Sequence, residues 1–133
     1  MSFIDDVAAR LVAQGVGTLN VNIFRSSAAL IPAGDGPFIT IIDTGGSGPS
    51  RVHNSVRSTQ RPTAQIMTRA SKYETAYVKA RAAYTALDGI FNTTLSGTFY
   101  QSITARQEPT DVGKDDSGRS MISFNIGAEK APS

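Results

Sequence analysis

Residues 3 to 14 place Ile4, Val7, Ala8, Leu11 and Val12 at the i, i+3, i+4, i+7, i+8 spacing of one apolar stripe, which predicts a helix. Ser2 stands where an N-cap belongs, Asp5 lies three residues on, and Gly15 follows the last apolar position. The period then changes to two. "TLNVNIFR" alternates Leu19, Val21 and Ile23 with polar partners, and "PFITIID" gathers β-branched residues behind a Gly-Asp-Gly-Pro turn, so both read as strands. An aperiodic run from 44 to 61 interrupts the pattern, and "PTAQIMTRA" resumes it with Ala64, Ile66 and Thr68.

Residues 72 to 88 carry the second helical pattern, with Tyr73, Ala76, Tyr77, Ala80, Tyr84 and Leu87 on one face, Ser71 and Glu74 spaced as a capping box, and Gly89 at the stop. Three tyrosines at that spacing fit packing on a sheet, hydroxyls near its rim, better than a base-stacking platform. "TTLSGTFYQSITARQ" adds a Ser-Gly turn and a long alternating strand. "RSMISFNIG" adds a last strand with Ile122, Phe124 and Ile126 on one face. The order α-β-β-β-α-β-β predicts an α+β fold: a mostly antiparallel sheet of four to five strands with two helices packed on one face. Long loops are expected at 44–61 and 107–119; the second is well beyond the usual hairpin connection of roughly two to five residues.

Composition narrows the function classes. At 133 residues the chain fits a single domain, 1–133. Without cysteine it has no disulfide framework, thiolate nucleophile or zinc-thiolate site. The N-terminal stretch mixes Asp5, Asp6 and Arg10 into its apolar pattern, unlike a secretory signal, and no apolar run reaches membrane-spanning length. The expectation is a soluble product made in the cytoplasm, with no membrane partner. Net charge is +2, but residues 51 to 81 hold +6 and the rest −4. Such a block suits a polyanion or an acidic partner, although separate solvated faces are the commoner outcome.

The acidic run "QEPTDVGKDDSGRSMISFNI" raises the question of a metal site. Asp111, Asp115 and Asp116 lack the alternate spacing of a calcium loop, and no glutamate closes it. Asp116-Ser117-Gly118 instead suits a turn. His53 is the only histidine and has no patterned ligand near it. "GGSGPS" departs from the nucleophile elbow, and the G-x-G pairs at 15/17 and 34/36 lack a third glycine or a Walker lysine. Arg51, His53, Arg57 and Arg61 beside Arg69 would neutralise phosphates without reading sequence, but no recognition helix or aromatic motif accompanies them. No catalytic residue, cofactor or metal is assigned; the reading is a non-enzymatic assembly component.

Taken in order, "FIDDVAARLVAQGVGTL", "IIDTGG", "RPTAQIMTRA", "YVKARAAYTALDG" and "LSGTFYQSITARQEPTDVGKDDSGRSMISFNIG" resemble the minor capsid and tail-terminator proteins of long-tailed bacteriophages, the lambda-type tail-to-head joining family. The resemblance spans nearly the whole chain. It implies a structural virion protein in the neck region of the tail, assembled in the host cytoplasm. A hexameric ring on the finished tail tube would stop polymerisation, meet the head-completion or connector protein, and let DNA pass non-specifically. Ring closure needs a heterologous contact, so opposite charge on the two excursions would set register. Arg51, Arg57 and Arg61 on the first, with Asp111, Lys114, Asp115, Asp116 and Arg119 on the second, are the candidate ring or partner interface. The alternatives are a head-completion or connector ring protein and a small basic DNA-binding module.

Overall fold

A computed structural model describes residues 3–25, 34, 36–46 and 59–131. Two helices, α1 (Phe3–Ala13) and α2 (Tyr73–Leu87), accompany seven strands: β1 (Ile23–Arg25), β2 (Phe38–Asp43), β3 (Thr63–Ala70), β4 (Ile90–Leu95), β5 (Thr98–Ala105), β6 (Thr110–Lys114) and β7 (Ser120–Lys130). All seven belong to one sheet in the order β1-β2-β3-β7-β5-β4, with β6 also pairing β7. β1 runs parallel to β2; the other pairings are antiparallel. The α+β class stands, but four to five strands was too few.

Two strands were missed, for different reasons. Ser96 and Gly97 both have positive φ, 50° and 83°, and join β4 to β5 as a two-residue hairpin, so the Ser-Gly turn has a strand on each side. Asn92, also at positive φ (50°), breaks the alternation of β4 and hides it from a period-two reading. β6 lies inside the expected 107–119 loop. β5 and β6 follow each other along the same edge of β7, Ala105 opposite Ile126 and Thr110 opposite Ser123. The excursion is thus the outer part of a long hairpin with β7, and its true turn spans only 115–119. Val112 and Gly113 fall at a register shift in this arm, which disguised it.

The core lies between the helices and one sheet face. Ile4, Val7, Ala8 and Leu11 of α1 join Ile39, Ile41, Ala64, Ile66, Phe124 and Ile126 in one buried cluster that also takes in Ala83, Ala86 and Leu87 of α2. Phe3 belongs to the buried stripe, whereas Val12 is 41% exposed. Gly15 (φ 75°) ends α1: its N–H reaches the Val12 carbonyl and that of Val16 the Leu11 carbonyl, and Leu11 and Val16 share the core. That bond pair satisfies carbonyls that no further turn would use.

α2 begins one residue later than a capping box would require. Its N-cap is Lys72, with no side-chain capping bond, so Ser71 stands outside the helix. Ala76, Ala80, Ala83 and Ala86 face the sheet, while Tyr77 and Tyr84 are half-buried at the flanks and Tyr73 is exposed, its ring stacked on Tyr77. Small side chains on the contact stripe let α2 approach β3 and β7 closely, displacing the tyrosines from the centre. The strand expected from Leu19 shrinks to Ile23–Arg25, because Val21, Asn22 and Ile23 donate N–H bonds to the Thr18 carbonyl, and Asn20 (φ 62°) closes a turn.

Candidate functional site

The turn between β6 and β7 is built around Asp115. Its Oδ1 accepts N–H bonds from Ser117 (3.0 Å) and Arg119 (2.9 Å), and its Oδ2 accepts Nε of Arg119 at 2.8 Å. Gly118, at φ 79°, completes the reversal by donating to the Asp115 carbonyl. The turn expected at Asp116-Ser117-Gly118 is there, but the aspartate that organises it is the preceding one. Arg119 also donates to the Gly34 carbonyl at 2.9 Å, and Arg69 brings Nε to 3.9 Å from Asp115 Oδ2 while its guanidinium lies 5.5 Å from the Phe38 ring centroid. The turn is thereby tied to the end of β3 and the start of β2.

These contacts set the charges. The Arg119 backbone N–H holds the Asp115 carboxyl below its usual range, opposed in part by burial and reinforced by the Ser117 N–H and the Arg119 charge. Arg69 is pulled down by burial first and by Arg119 second, with Asp115 opposing. A depressed carboxyl contributes stability that is present above its unfolded value of about 4 and is lost as pH falls through the folded value. Asp115→Asn is therefore expected to speed amide exchange across 113–120 at neutral pH. The gap from wild type should close as pH falls below about 4, checked by hydrogen exchange at two pH values.

Of the predicted interface residues, Arg51 and Arg57 lie outside the described residues, as does His53. Arg61 stands 3.6 Å from Glu129, near the C-terminal end of β7. Asp111, Lys114 and Asp116 are exposed on the hairpin, Asp111 accepting the Gly113 N–H at 2.8 Å, and Asp115 pairs with Arg119 within the turn. Glu129 and the hairpin turn flank opposite ends of β7, roughly 30 Å apart at about 3.3 Å per residue. Arg61 and the turn cannot meet inside one subunit, so contact between them requires two copies. Among the described basic residues of 51–81, Arg81 goes to Glu108 and the face of Tyr84, and Lys79 to the Val16 carbonyl.

Sequence reasoning passed over two surfaces. Residues 89 to 105 contain no charged side chain, and this hairpin exposes Phe91 (59%) and Phe99 (42%). The charge-free run was readable; which phenyl rings face solvent was not. On the other side of the molecule, α2 exposes Val78 (69%), flanked by two shallow apolar grooves that meet at Val78 and Ala82.

Comparison with protein families matches residues 10–131 to the family described as bacteriophage tail terminator protein. A comparison with curated proteins found no match. Among solved structures, a chain from the virion of a native gene transfer agent particle is similar at a TM-score of 0.63 and 14% identity, covering 98% of this chain and 96% of that one. At that identity the likeness is one of fold.

Proposed function

The chain belongs to the bacteriophage tail terminator family, and from that premise we propose that it closes into a ring, expected to be a hexamer, on the head-proximal end of the tail tube. The ring stops tube polymerisation and offers its other side to the head-completion or connector protein. The protein is a structural component of phage tails, and in this reading it is made in the host cytoplasm and joins the neck, with DNA passing through the ring.

The observation that carries the reading is the family match, which runs through both helices and all seven strands, beginning within α1. Ring closure by identical copies requires two unlike surfaces per subunit. The separation of Arg61 from the β6–β7 turn supplies such a pair, with Asp111, Lys114 and Asp116 free to meet a neighbour. Deleting the gene is expected to give tails well beyond normal length. Normal-length tails beside unjoined heads would instead support a head-completion ring, and electron microscopy of lysates distinguishes the two.

A further inference from the structure

We infer that the β4–β5 hairpin of one copy docks, through Phe91 and Phe99, onto the outer surface of α2 in the next copy; this rests on the ring reading above. Three sheet edges are free among the described residues, and two are guarded. β1 has only three residues, with Leu19 bridged to it, and β6 carries Asp111, Lys114 and a register shift. Charges, bulges and short length are the usual protections of a free edge. β4 pairs with β5 alone and, although Asn92 bends it, neither strand carries a charge. Of the three edges it is the one without such protection, and its hairpin carries two exposed phenyl rings.

Register shows where the rings point. Ile90 and Ile103 are opposite each other and buried, so Phe91 projects from the face away from the helices; Phe99, beside buried Tyr100, does the same. The receiving surface is on the opposite layer. The two grooves on α2 have volumes of about 450 and 500 Å³, and an apolar cavity of about 150 Å³ already holds a benzene ring. Pro37 lines one and Val16 the other, with Val78 and Ala82 shared. Phe91 and Phe99 are separated by a spacing on the order of 10 Å along the hairpin, and the helix residues lining the two grooves run from Glu74 to Ala86, roughly 18 Å along the axis. At the rims Lys79 donates to the Val16 carbonyl and Arg81 pairs with Glu108, while exposed Glu74 also lines the first groove; Val78 and Ala82 are the apolar residues common to both. Knob and groove lie on opposite faces of the subunit, which makes the contact heterologous, as a closed ring requires.

The test uses three full-length proteins: wild type, Val78→Asp, and the double variant Phe91→Ser/Phe99→Ser. All three positions are exposed, so each variant should keep its circular dichroism spectrum. Native mass, free and with purified tail tubes, is expected to show a ring for wild type and monomers for each variant. An equimolar mixture of the variants should give a heterodimer, because one copy keeps its hairpin and the other its groove. Variants that retain the ring, or a mixture that stays monomeric, overturn the docking while leaving the ring reading intact. Variants that form rings but no longer hold the tube make the tube the occupant and overturn a second copy. A wild type that stays monomeric even on tubes removes the ring reading and this inference with it.

Discussion

Phe124→Ala is expected to destabilise the protein by about 3–5 kcal/mol, the range for truncating a buried aromatic side chain. Phe124 is fully buried in the middle of β7, opposite Ile66, and Tyr84 packs edge-on against it with ring centroids 5.7 Å apart. Truncation removes the transfer free energy of the ring, leaves a cavity beneath α2 and takes away the aromatic partner of Tyr84. Domains of this kind have only about 5–15 kcal/mol in total, so the variant should lie near the edge of folding. Urea denaturation is the measurement, with the midpoint falling sharply. Val21→Ala is the control: at 62% exposure it should stay within about 0.5 kcal/mol of wild type. Equal losses at the two positions would mean that the core has been wrongly placed.

Tyr100→Phe removes one hydroxyl and is expected to cost about 1.5–3 kcal/mol, the range for a hydrogen bond to a charged group. Tyr100 and Asp6 are both fully buried, and the phenol donates to Asp6 Oδ2. Asp6 Oδ1 has no hydrogen-bond partner among the described residues, so losing the phenol leaves both carboxylate oxygens without one. The double variant Tyr100→Phe/Asp6→Leu should recover part of the loss, because removing both polar groups also removes the desolvation penalty.

The phenol's proton affinity extends this to high pH. Burial pushes the Tyr100 hydroxyl well above its ordinary value, and the bond to Asp6 adds to the shift. The folded state therefore keeps a proton that the unfolded chain loses near pH 10. The associated stability is whole below that pH and declines as pH rises above it, by about 1.4 kcal/mol per unit. Denaturant melts from pH 8 to 11 should show a shallower alkaline decline in Tyr100→Phe than in wild type.

How far the sequence could be read depended on whether neighbours along the chain or across the fold decide the outcome. The stripes Ile4-Val7-Ala8-Leu11 and Ala64-Ile66-Thr68, the stops at Gly15 and Gly89, and the buried set Ile122-Phe124-Ile126 all emerged as expected, because periodicity and positive φ are local properties. β4 was missed where Asn92 interrupts the period, and β6 where polar, glycine-bearing residues form an edge strand, since β7 supplies the partner that their own propensity does not. The candidate interface residues were named without the contacts they make. Asp115 and Arg119 were named from charge, but the turn they build together, and its tie to Arg69 and Phe38, depend on contacts across the sheet.

The sequence by itself determined the α+β class, the two helices, the alternating core strands and, through the order of its motifs, the family. Tertiary structure alone decided which side chains remain outside. A free edge, a solvent-facing phenyl ring or a carboxylate already bound to an arginine is defined by what the rest of the fold leaves uncovered, and no local pattern records that.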